Sequence, residues 1–171
     1  MIRETKELSF KLTEVTDAGQ FSGYGSTWEG PPDGYNDVVQ RGAFKKSLSE
    51  HRSFPLLWSH QPTEPLGVIG AREDEKGLFV DGSLNLDVAR AREIRSLMAQ
   101  MKAAGIPMGL SIGYEAIQAE RDREGVRRLK EIKLYEISPV IFPACDTARI
   151  ADVKAADEKA KTLRLIDSIR L

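Results

Sequence analysis

Between Val126 and Ile137 the residues alternate with a period of two, and this alternation constrains the fold more than any other stretch. It predicts a strand with Ile132, Leu134 and Glu136 on one face and Glu131, Lys133 and Tyr135 on the other. Such a strand must bury its apolar side, and here that side carries a carboxylate. A buried charge without a partner is costly. His60, one of two histidines in the chain, is a candidate partner; an arginine such as Arg127 or Arg128 is another.

The rest of the chain predicts more short strands around few helices. Leu8, Phe10 and Leu12 alternate with polar residues, Asp17-Ala18-Gly19 supplies a turn, and Phe21 to Thr27 returns, so residues 8–27 are expected to form a hairpin. A turn-rich loop over residues 29–37 leads to Val38-Val39 and to a short helix beginning near Gly42, with Phe44 and Leu48 on one side. Strands are expected over 54–60, 67–71 and 78–86. The clearest helix runs from Val88 to Ala104, with Asp87 as its cap, Gly105 and Pro107 as its end, and Ala91, Ile94, Leu97, Met98 and Met101 on its apolar face. A strand over 110–117 and a charged turn over 120–125 precede the alternating strand. Residues 153–171 form a charged helical pattern with Leu163 and Ile166 in phase, set apart from a main domain over 1–152. The expected class is α+β, a small antiparallel β-barrel flanked by helices.

Composition narrows the function classes. A chain of 171 residues can bury roughly two thirds of its unfolded surface, enough for a core. The net charge of -1 leaves no basic footprint for nucleic acid. No apolar run approaches the ~20 residues of a membrane span, and the charged start lacks the apolar centre of a signal peptide. The single cysteine, Cys145, excludes an internal disulfide and fits a soluble, intracellular protein. Two histidines and one cysteine argue against a structural zinc site, and no cofactor or metal is expected.

His60 closes the apolar run Leu56-Leu57-Trp58-Ser59-His60, just before the Pro-rich stretch Gln61-Pro62-Thr63-Glu64-Pro65. A neutral imidazole accepts a proton near physiological pH. Ser111, in Gly109-Leu110-Ser111-Ile112-Gly113-Tyr114, is a nucleophile once such a base takes its proton. A third group that holds the ring in one tautomer completes the set, and Glu136 has that chemistry. The flanking glycines leave the backbone open to a peptide and to amides aimed at an oxyanion. Each residue also has a plainer role: a solvated histidine, a serine in a loop, a glutamate paired with arginine. The serine motif is not the hydrolase Gly-x-Ser-x-Gly elbow, and spacing alone leaves the choice open. Cys145 with His60 would be a thiol alternative, but Asp146 beside it disfavours a thiolate.

Taken in order, several segments resemble the tailed-bacteriophage prohead serine proteases, which share their fold with the herpesvirus assemblins. They are Phe21-Ser22-Gly23-Tyr24-Gly25-Ser26, Asp37-Val38-Val39-Gln40-Arg41-Gly42-Ala43-Phe44, Leu56 to His60 with Pro65-Leu66-Gly67, Gly77-Leu78-Phe79-Val80, Gly109 to Tyr114, and Leu129 to Ser138 running on to Phe142-Pro143-Ala144. The resemblance implies a serine endopeptidase with His60 as general base, Ser111 as nucleophile and an acidic third member. Glu136 is assigned there, with Glu131 as the fallback. Herpesvirus relatives carry a histidine in that place; His51 precedes His60 and does not fit it. The implied substrate is scaffold or the scaffold-like segment of the major capsid protein, cleaved inside the procapsid in the host bacterial cytoplasm, with self-processing. Homodimerisation is a further possibility that the resemblance raises, and an inactive scaffolding domain of the same fold is the competing expectation.

Overall fold

The computed structural model describes residues 4–8 by their backbone and residues 15–28, 31–106 and 108–141 in full. Cys145 and the charged segment 153–171 lie outside the described residues. The elements in order are β1 (Glu4–Leu8), β2 (Gln20–Thr27), β3 (Asp37–Val39), α1 (Lys45–Glu50), β4 (Ser53–Trp58), β5 (Gln61–Glu73), β6 (Gly77–Leu84), α2 (Ala89–Ala103), β7 (Gly109–Arg121) and β8 (Arg127–Val140). The strands form one sheet in the order β1-β7-β8-β4-β5-β6-β2, with β3 beside β8.

The α+β class holds, but the sheet is mixed rather than antiparallel. Both β3 and β4 run parallel to β8. Helix α1 lies between them in the chain, and such a crossover lets successive strands share one direction. Among the described residues the barrel does not close, because the hydrogen-bonded path ends at β1 and β2. Instead of pairing with β1, β2 curls over β7: a Cβ on Gly25 would stand 3.3 Å from Ile112 Cγ2. The result is a curled half-barrel.

Of the hairpin expected over residues 8–27, residues 9–14 lie outside the described residues, and the described strands on either side make long-range pairs. The turn before β2 forms, with Gly19 at φ 77° and its N–H bonded to the Thr16 carbonyl. But β2 pairs antiparallel with β6, and β1 pairs with β7. Side-chain fit favours the distant partner, since the Phe21 ring covers Gly82 so closely that a Cβ there would lie 2.2 Å from it.

Helix α2 buries Ala91, Ile94 and Met98 as the spacing requires, while Leu97 is half-exposed at its margin. Val88, not Asp87, occupies the N-cap, and no side chain caps the helix. The Asp87 amide instead bonds Asn85 Oδ1, which turns the chain before the helix begins. Its end is as expected: Gly105 takes φ 70°, its N–H reaches the Lys102 carbonyl, and Ile106 N–H reaches Met101.

Strand β8 is the spine of the molecule, bonded to β7, β3 and β4. Its alternation is as read from the sequence, with Ile132, Leu134 and Glu136 buried and Lys133 exposed. At its start, Arg127 grips the buried Asp37 carboxylate through Nε (2.8 Å) and Nη2 (2.6 Å), clamping β3 to β8. The Tyr114 hydroxyl donates to the same carboxylate at 3.3 Å, tying β7 into the clamp.

Candidate active site

The turn that carries His60 differs from expectation. Strand β4 ends at Trp58 and β5 begins at Gln61, so the Pro-rich stretch is strand and not turn. Pro62 and Pro65 are accommodated because this part of β5 pairs only with β4; pairing with β6 starts at Gly67. Trp58 pairs with Gln61, which leaves Ser59 and His60 as a two-residue hairpin loop. Both adopt left-handed backbone, φ 46° and 62°, as favoured hairpin turns demand. Residues with a Cβ pay about 1–2 kcal/mol each for that conformation. Two tethers to β8 hold it: Ser59 N–H donates to the Pro139 carbonyl at 3.2 Å, and His60 N–H donates to Ser138 Oγ at 3.0 Å.

Antiparallel pairing of β7 and β8 sets Ser111 opposite Ser138 and Gly113 opposite Glu136. Side chains two residues apart on a strand share a face, so Ser111 and Glu136 project toward the same side. The His60 imidazole lies between them. Its Nδ1 is 2.6 Å from Glu136 Oε1, and its Nε2 is 2.6 Å from Ser111 Oγ. A carboxylate only accepts, so Nδ1 carries the proton and donates to Glu136. Nε2 of the neutral ring is then the acceptor of the Ser111 hydroxyl proton. Glu136 and Ser111 are fully buried, and the His60 side chain keeps 16 % of its surface in solvent.

The structure therefore brings together the three residues chosen from sequence. The alternative partners of Glu136 are engaged elsewhere, Arg127 by Asp37 and Arg128 by Asp122. Glu131 faces outward and pairs with Lys46 at 3.1 Å, well away from the histidine. His51 caps the end of α1 and packs edge-on against Phe54. Among the described residues no group of three His, Cys, Asp or Glu side chains is placed to hold a metal. None of the described helices is long and apolar enough to cross a membrane.

Gly113 has a different role from the open backbone expected. A Cβ at that position would stand 2.1 Å from Glu136 Oε1, so the absent side chain makes room for the carboxylate. Ser138 was not singled out from the sequence. Its hydroxyl donates to Glu136 Oε2 at 2.6 Å while accepting the His60 amide. The signal was present in the period-two spacing from Glu136, but it becomes specific only with the His60 turn in place.

Similarity to known proteins extends over most of the chain. The family model of the caudovirus prohead serine proteases matches residues 6–163. The chain is 32% identical over 163 residues to the prohead protease of Enterobacteria phage HK97, covering 89% of this chain and 70% of that protein. It is also 32% identical over 145 residues to the capsid polyprotein of Pseudomonas phage PAJU2, spanning 81% of this chain but 21% of the polyprotein. In fold it is similar to the capsid assembly protease of bacteriophage T4, with a TM-score of 0.52 at 11% identity over 81% of this chain and 94% of that one. On this family match and this identity, the chain belongs to the caudovirus prohead serine protease family.

Proposed function

We propose that this chain is a serine endopeptidase of capsid maturation in which Ser111, His60 and Glu136 form the catalytic triad. The observation that carries this is the imidazole held at 2.6 Å from both the Ser111 hydroxyl and the Glu136 carboxylate. In the mechanism Ser111 Oγ attacks the scissile carbonyl while His60 Nε2 takes its proton. Glu136 keeps Nδ1 protonated and stabilises the imidazolium as it forms. The same imidazolium then gives its proton to the leaving amine, and water repeats the sequence to release the acyl group.

The substrate under this reading is scaffold or the scaffold-like segment of the major capsid protein, and the chain itself. Support comes from the similarity to a phage prohead protease and to a capsid polyprotein. Cleavage takes place inside the procapsid, within the host bacterium. Under this reading residues 1–152 are the protease domain, and the charged segment 153–171 serves in docking or dimerisation or is a truncated tail. The kinship in fold with herpesvirus assemblins belongs to the same proposal. Weak intrinsic activity would suffice for an enzyme that meets its substrate at the high local concentration of a packed shell.

The test is co-expression with the capsid precursor from the same gene neighbourhood, native chain beside Ser111→Ala, followed by intact mass spectrometry. A defined fragment that appears only with the native chain is the expected result. Identical masses in both samples, with the chain packaged in assembled procapsids, would sink the proposal in favour of an inactive scaffolding domain.

A further inference from the structure

We infer that Ser138 is the positioning residue of this site, one hydroxyl that holds the Glu136 carboxylate and the His60 main chain in a single fixed relation. The inference rests on the Ser111-His60-Glu136 triad proposed above and adds a fourth member that does not touch substrate.

A serine hydroxyl has one proton to give and lone pairs to receive. Ser138 spends the proton on Glu136 Oε2 at 2.6 Å and receives the His60 N–H at 3.0 Å. It is fully buried, so no solvent competes for either bond. The first bond occupies the carboxylate oxygen that His60 does not use. With Oε2 held by Ser138 and Oε1 by Nδ1, the carboxylate plane cannot rotate without breaking one of them. The second bond acts on the histidine from its other end. His60 sits in left-handed backbone at φ 62°, a conformation that persists only where its surroundings enforce it. Its amide proton is held by Ser138 Oγ.

The two bonds close a ring: His60 main chain to Ser138, Ser138 to Glu136, Glu136 to the His60 side chain. Every member of that ring then depends on one oxygen. Deleting it removes the acceptor of the half-buried His60 N–H and the donor to the buried Glu136 carboxylate together, and both losses fall on the geometry of the base. Strand β8 makes the arrangement possible, because Glu136 and Ser138 are two apart on one face and Ser138 lies opposite Ser111. Ser138 thus stands beneath the nucleophile without bonding the imidazole.

The experiment compares native chain, Ser138→Ala, Ser138→Thr and Ser111→Ala. A fluorophosphonate probe reports the reactivity of Ser111, and the low-field imidazole Nδ1 proton in the NMR spectrum reports the bond to Glu136. Thermal melts check that each variant is folded. In Ser138→Ala the labelling rate should fall roughly 10- to 100-fold, the scale of an ångström's misplacement, and the low-field resonance should shift or vanish. Ser138→Thr keeps the hydroxyl on a residue that strands favour and should recover both. An Ala variant that labels within twofold of native overturns the inference. So does a Thr variant that melts like native yet labels as slowly as Ala. If the added methyl unfolds the chain, the Ala resonance decides: lost, it supports the role; unmoved, it overturns it. A native chain that takes no label at Ser111 removes the triad and this inference with it, which an active native chain with an indifferent Ser138→Ala does not.

Discussion

Ser111 and Glu136 stand on adjacent strands two residues out of register: Gly113, not Ser111, faces Glu136 across the pair. The diagonal separation of such positions is about 7–8 Å, which an imidazole with one hydrogen bond at each end spans. Direct opposition would bring the serine and the carboxylate too close to admit the ring. The stagger comes from the pairing of β7 with β8, and the ring arrives from a third strand connection, the β4–β5 loop.

The triad predicts graded losses. Ser111→Ala and His60→Ala should each reduce cleavage to background. Glu136→Gln should lower kcat by about 10⁴-fold, because an amide can support the wrong tautomer of His60. Steady-state kinetics on a peptide mapped from the capsid precursor would check the order, and an active Glu136→Gln would remove Glu136 from the mechanism.

Gly113→Ala should also damage activity, by less than the triad variants, while leaving the sheet folded. The added Cβ would meet Glu136 Oε1 at 2.1 Å and Cδ at 2.8 Å, so the carboxylate has to leave Nδ1. The expected loss in kcat is about 100-fold or more. Circular dichroism of the variant beside its activity separates this from unfolding.

Asp37→Ala tests the clamp behind the site. It leaves Arg127 without its bidentate partner and the Tyr114 hydroxyl without this acceptor. Breaking a buried pair costs about 3–5 kcal/mol, and the lower end applies because Arg127 keeps 24% of its side chain in solvent. Urea denaturation should show a shifted midpoint at unchanged slope.

Acid stability should depend on Asp74. Burial pushes its carboxyl up, but the Gly77 amide, the Tyr24 hydroxyl, the Lys76 amide and the Arg72 guanidinium outweigh burial and hold it below its ordinary value. A group depressed in the folded state contributes stability above its unfolded pKa of about 3.9 and loses it as pH falls through the folded one. Asp74→Asn should therefore lower Tm at neutral pH and flatten the fall in Tm below about pH 4. A Tm profile parallel to native would exclude the effect.

Ser26→Ala should stabilise the fold. The Ser26 hydroxyl is fully buried and has no hydrogen-bond partner among the described residues. Removing it relieves a desolvation cost of about 1 kcal/mol. Differential scanning calorimetry would show a raised Tm, or a lowered one if that hydroxyl is in fact satisfied.

What was legible in the sequence was local. The alternation over β8 placed Glu136 on the buried face, the spacing of Ala91, Ile94 and Met98 gave the inner face of α2, and Gly105 marked its end. Periodicity carries these because it depends on neighbours a few residues apart. Chemistry and resemblance point to His60 and Ser111, and the period-two alternation adds the preference for Glu136 over Glu131. Tertiary structure alone decided that β2 pairs with β6 and that β3 and β4 run parallel to β8, since pairing reflects the fit of distant side chains. It alone turned Ser59 and His60 into a strained loop, where neither residue type announces a left-handed turn and the tethers lie on β8. For the same reason Ser138 and Gly113 acquire their meaning only once β7, β8 and that loop converge on one carboxylate.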